Sequence, residues 1–121
     1  MAGTVSAETT ADVDTNCIKT AIEKRDSAVI SAFDSYAAKI KTALQIRKEA
    51  LKSAWDLTVK KDRNNAVKTA WKNFKDSRVN TQKEFKTAKL NAWKTFKTDR
   101  KTCKGGNQNI DHILGGSDSS L

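Results

Sequence analysis

Three columns of residues recur every eleven positions through the first half of the chain, and that period dictates a helix. Ile18, Val29, Ile40 and Leu51 fill one column, Ala21, Ala32, Ala43 and Ala54 a second, and Ile22, Phe33, Leu44 and Trp55 a third. Eleven residues complete three turns at about 3.67 residues per turn, close to a straight α-helix, so such a stripe stays on one face. The second half carries the theme in a new phase. Ala66-Val67-Lys68-Thr69-Ala70-Trp71 echoes the stretch from Ala50 to Trp55. Trp71 and Trp93 lie two periods apart, and Phe74, Phe85 and Phe96 lie one period apart each. The expected core is therefore Ile18, Ile22, Val29, Phe33, Ile40, Leu44, Leu51 and Trp55 on one arm. Val67, Trp71, Phe74, Phe85, Trp93 and Phe96 face it from the other. The small alanine column lets a second helix approach, and the adjacent large column is expected to fill the groove.

Nothing interrupts this pattern. Proline is absent and no glycine lies between Thr4 and Lys104. Proline lacks the N–H a helix interior needs, and glycine loses the most backbone entropy there. A β-rich fold would need turn residues this stretch does not supply. The phase does break once, since Ala50 and Ala66 are equivalent but sixteen residues apart, one period plus five. The break falls around Lys60-Lys61-Asp62-Arg63, where Asp62 can serve as an N-cap. The expected fold is an all-α, long antiparallel two-helix hairpin with arms at 17–60 and 62–104 and a turn near 60–63. Residues 1–16 and 105–121 read as flexible ends, with Gly105-Gly106 as the helix stop and Ile110, Ile113 and Leu114 as the one apolar patch of the tail.

Folding the chain about residue 60 brings Cys17, at the start of one arm, opposite Cys103, at the end of the other. Both fall in apolar-face columns, and Cys103 continues the small column of Ala70, Thr81 and Ala92. A disulfide clamp is expected, closing a loop worth about 4–5 kcal/mol in the chain-entropy account. A two-helix unit has a thin core and benefits from such a staple. A persistent disulfide implies an oxidising compartment. Residues 1–16 lack the apolar run of a signal peptide, yet Val5-Ser6-Ala7 has the small-residue pattern that precedes a cleavage site. The expectation is a secreted, periplasmic or cell-surface protein without a transmembrane segment.

The net charge is +9, and it is concentrated: residues 17–104 hold 23 Lys/Arg against 9 Asp/Glu. Lys72, Lys83 and Lys94 repeat every eleven residues, as do Lys75, Lys86 and Lys97, with Lys68 and Lys101 on the same side. At about 100° per residue these point away from the aromatic stripe and form a ladder on the second arm. A basic ladder attracts nucleic acid, anionic lipid or anionic wall polymers. The cations are 18 Lys and 5 Arg, so bidentate base contacts are scarce and sequence-specific reading is not expected.

Catalytic chemistry is missing. The one histidine, His112, lies in the tail, and there is no Cys-x-x-Cys pair, histidine cluster or metal-ligand spacing. The glycine pairs follow the helices, so no phosphate-cradling loop exists. Asp34, Glu49 and Asp56 are scattered over positions expected to be exposed. No enzyme, no metal and no cofactor are expected.

With its Ala-Leu-Lys-Ser-Ala-Trp and Ala-Val-Lys-Thr-Ala-Trp units, an Asp at the turn and a Cys at either end, the chain resembles a group of uncharacterised small secreted helical proteins of candidate-phyla-radiation bacteria. The resemblance covers about residues 17–104 and implies no established activity. Eleven-residue helical repeats are also similar to those of apolipoproteins, synucleins and desiccation-protective proteins, which usually lack clustered Trp and terminal Cys. The leading expectation is a non-enzymatic extracytoplasmic module that binds anionic polymers, a cell-surface polymer or extracellular nucleic acid, through the lysine ladder. The alternatives are a structural protein that pairs with copies of itself and a binder of anionic membrane surfaces.

Overall fold

The structure is a computed structural model that describes residues 13–106. The expected flexible ends, His112 and the Ile110–Leu114 patch therefore lie outside the described residues, apart from 13–16 and 105–106. Two helices make up the fold: α1, Thr15–Ala54, and α2, Lys60–Lys101. They pack against each other as an all-α hairpin, and no strand occurs among the described residues. None of the described helices is long and apolar enough to cross a membrane. The described residues form two compact units: a clamp unit of 13–30 with 88–106, and a turn unit of Ser31–Thr87.

In the clamp unit, α1 starts earlier than the repeat alone suggests. Asp14 is its cap: one carboxylate oxygen accepts the Cys17 N–H at 3.0 Å, and its carbonyl accepts the Ile18 N–H at 3.1 Å. Capping satisfies a donor that the first helical turn would otherwise leave open. The Asp14 N–H donates to the Lys104 carbonyl at 2.9 Å, tying the beginning of α1 to the end of α2. Cys17 and Cys103 are disulfide-bonded with their Cα atoms 5.7 Å apart. Gly105 adopts a φ of 78°, the left-handed region open to glycine. Gly106 is buried, and a Cβ there would collide with the Arg100 carbonyl. Residues 13–16 and 105–106 are thus ordered parts of the clamp and correct the expectation that all of 1–16 and 105–121 are loose. Ile18, Ala21, Val29, Ala92 and Phe96 are buried here, Phe96 at 1% exposure.

In the turn unit the reversal occupies residues 55–59, not 60–63. Lys60 to Arg63 already form the first turn of α2, where Asp62 meets the positive end of the helix dipole as an in-helix residue and not as the cap. The pairing register explains the shift. Phe33 lies against Phe85, Arg47 against Trp71 and Arg63 against Trp55. Each step forward on α1 is matched by an equal step back on α2, and that register meets itself at residue 59. The eleven-residue phase shows that five extra residues, beyond one period, lie between Ala50 and Ala66 but not where they leave the helix.

Ala43, Ala54, Ala70, Thr81 and Phe85 are the buried residues of this unit, with Tyr36, Ile40, Leu51, Val67 and Phe74 half-buried. Four expected core residues are instead exposed: Phe33 at 48%, Leu44 at 39%, Trp55 at 67% and Trp71 at 50%. The reason is angular. Each follows an alanine of the central column by one residue, about 100° further around the helix. A single partner helix cannot cover both.

Candidate polyanion surface and its aromatic backing

The two kinds of cation are sorted by position. All five arginines avoid the exposed class: Arg25 and Arg100 are buried, and Arg47, Arg63 and Arg78 are half-buried. Every lysine except Lys89 is exposed. Physical chemistry accounts for the division. A guanidinium is planar, weakly hydrated and stacks on aromatic faces, whereas an ammonium is a strongly hydrated point charge. An arginine can line a seam where a lysine would have to give up water.

The seam uses this property in both units. In the clamp unit, Arg25 lies 4.2 Å from the Trp93 ring centre and 4.4 Å from that of Phe96. In the turn unit, Arg47 lies 4.4 Å from Trp71 and 4.5 Å from Phe74. Trp71-Lys72-Asn73-Phe74 and Trp93-Lys94-Thr95-Phe96 are the same clip two periods apart, and Arg25 and Arg47 are separated by the same interval. Arg63, in the first turn of α2, makes a like contact, 4.7 Å from Trp55, the first residue past the end of α1. Arg25 donates from Nε and Nη2 to the Asp26 carboxylate at 2.8 and 3.3 Å, while its Nη1 and Arg63 Nε have no hydrogen-bond partner among the described residues and face the rings instead. The turn unit also stacks Tyr36 on Phe85 at 5.0 Å, with Phe33 edge-on to Phe85 at 5.9 Å.

Sequence reasoning missed these arginines because a charge on an amphipathic helix is assigned to solvent by default. The signal was present in the two-period spacing shared by Arg25 and Arg47 with the two Trp-x-x-Phe clips.

All eight ladder lysines are exposed. Lys68, Lys72, Lys75, Lys83 and Lys86 belong to the turn unit, and Lys94, Lys97 and Lys101 to the clamp unit. Lys72 bonds Asp76 at 2.9 Å, an i,i+4 pair; the other seven have no acid within ion-pair reach among the described residues. Helix α2 carries 14 Lys/Arg and 4 Asp/Glu, a difference of +10; α1 carries 8 and 4, a difference of +4. Ion pairs cross between the helices in both units: Lys24–Asp99 in the clamp unit at 3.3 Å and Lys39–Glu84 in the turn unit at 2.7 Å. Exposed pairs of this kind contribute little to stability, about 0–1 kcal/mol.

One column of the ladder differs from its expected placement. Lys75 follows Trp71 by four residues, and Lys97 follows Trp93 by four. Residues four apart on a helix are surface neighbours. This column therefore rims the tryptophan face and does not point away from it. No group of three or more His, Cys, Asp or Glu gathers at one place among the described residues. Comparison with protein-family models, curated proteins and solved structures finds no match to the chain.

Proposed function

We propose that this protein is a non-enzymatic helical module that works outside the cytoplasm and binds anionic polymers through the exposed lysines of α2. The observation that carries the reading is the sorting of cations, with arginine drawn into the seam and lysine left outside and largely unneutralised. Release of counterions from a polyanion would drive the association, without sequence preference, because ammonium groups on a regular helix present no base-edge code. The disulfide is compatible with an extracellular setting, where such bonds persist.

The test is a titration of the oxidised protein with duplex DNA, heparin and a teichoic-acid-like polymer at two salt concentrations. Each lysine that neutralises a phosphate adds roughly 0.9 to the slope of log affinity against log salt on duplex DNA. Changing Lys72, Lys75, Lys83 and Lys86 to Gln weakens binding and flattens that slope at unchanged helicity, since glutamine is a comparable helix former. Failure of the wild type to bind any of the three at low salt overturns the reading.

A second reading, self-association, is favoured by the exposed Phe33, Leu44 and Trp71 of the turn unit, which a bundle of two hairpins would cover. Light scattering over a concentration series separates it from the first.

A further inference from the structure

The lysines account for attraction to any polyanion. They do not account for the rings beside them. Trp55 and Trp71 of the turn unit are 67% and 50% exposed, costly positions for the two largest apolar side chains of the unit. Each has one ring face held by a guanidinium, Arg63 for Trp55 and Arg47 for Trp71. A ring with a guanidinium over one face and half or more of its surface exposed presents its other face to solvent. Phe33, 48% exposed and set against Tyr36 and Phe85, adds a third ring to the unit's surface. Lysines sit beside this surface: Lys75 is the i+4 neighbour of Trp71, and Lys48 is that of Leu44.

We propose that this aromatic face binds single-stranded nucleic acid, with Trp55 and Trp71 stacking on bases while Lys75 and its neighbours meet the backbone. The inference rests on the polyanion reading and narrows its ligand class. Pre-oriented rings in a cationic surround are the recurrent solution for single-strand binding, because every base has a π-face and the backbone supplies the charge. The arginine behind each ring keeps it from collapsing onto the helix and adds positive potential where phosphates approach. Heparin and teichoic-acid-like polymers offer charge but no aromatic faces. A duplex hides its base faces inside the stack. The surface thus separates one polyanion from the others by a chemistry the lysines lack. From residue 47, which faces Trp71, to residue 54, where α1 ends beside Trp55, is about 10 Å along the helix axis, within reach of one short strand.

The experiment uses the full oxidised chain with four probes: a 20-mer of thymidine, a 20-base-pair duplex, heparin, and phosphatidylglycerol vesicles. Tryptophan emission and affinity are read for each. The thymidine oligomer should quench tryptophan emission and should bind more tightly than the duplex at equal salt. Stacking is worth about 1–3 kcal/mol per base, or about fivefold to 150-fold. Trp55→Leu with Trp71→Leu should therefore lower oligomer affinity at least 25-fold (about fivefold for each ring) and leave heparin affinity within about twofold. Trp55→Phe with Trp71→Phe, which keeps an aromatic ring at both positions, should retain most of the oligomer affinity, and circular dichroism confirms that both variants remain helical. Equal oligomer affinity for the leucine variant and the wild type overturns the stacking proposal, while intact heparin binding in that case leaves the polyanion reading standing. A blue-shifted emission on vesicles with no quenching by the oligomer also overturns it and assigns the face to lipid. Loss of binding to every probe by the wild type overturns both.

Discussion

The clamp unit and the turn unit use the same device, an arginine held in a Trp-x-x-Phe clip, in two different surroundings. In the clamp unit Arg25 is 7% exposed and Phe96 is 1% exposed, beside a disulfide, a helix cap and a buried glycine stop. In the turn unit Arg47 and Phe74 are half-buried and Trp71 is half exposed, with no covalent link. Cation–π contacts range from about 0.5–1 kcal/mol when exposed to about 2 kcal/mol or more when desolvated. One motif can therefore stabilise a structure in one place and present a surface in another, according to how much water its surroundings exclude.

The largest effect that can break this comparison is loss of the clamp. Reduction, or Cys17→Ser with Cys103→Ser, should lower the unfolding free energy by about 4–5 kcal/mol on the chain-entropy account. Native-state hydrogen exchange should show residues 13–30 and 88–106 losing protection before 31–87. A uniform loss across both segments would mean that the units open as one body, and the contrast between them would disappear.

Core truncation gives a smaller contrast. Phe96→Ala, at the most buried large side chain, should cost about 3–5 kcal/mol, and Phe74→Ala, at the equivalent half-buried position, about half of that. Denaturant midpoints at unchanged m-value measure both. Equal costs would show that the turn unit excludes water as well as the clamp does.

The smallest effect tests the clips themselves. Arg25→Lys should cost about 1–2 kcal/mol and Arg47→Lys less than about 1 kcal/mol, since an ammonium keeps the charge but loses the planar stack. Thermal unfolding of the two variants beside the wild type settles the order, and a costlier Arg47→Lys would reverse the assignment of structural and surface roles.

The helices and their pairing are legible in the sequence. An eleven-residue period with no proline leaves little besides helix, and two cysteines at the ends of equal arms have one economical arrangement. The exposed positions of Trp55 and Trp71 are not legible, because periodicity reports which residues share a face and not how many neighbours that face has. A bundle would bury them; one partner helix does not. The turn lies ahead of the stretch around Asp62 because phase counts an insertion without locating it. The arginines of the seam are hidden by the rule that charge belongs outside, which holds for an ammonium far better than for a guanidinium.

The bond from the Asp14 N–H to the Lys104 carbonyl holds residues 14 and 104 side by side, just outside the disulfide. Tension applied between residues 13 and 106 then loads the Cys17–Cys103 bond a few residues in, and the segment from Ile18 to Thr102 carries none of it. Once that bond is reduced, the same pull meets the helices in the unzipping geometry, where paired residues separate in succession. The 85 residues so released can extend by roughly 290 Å at about 3.4 Å per residue. A single covalent bond thus separates a short, stiff mechanical link from a long, compliant one.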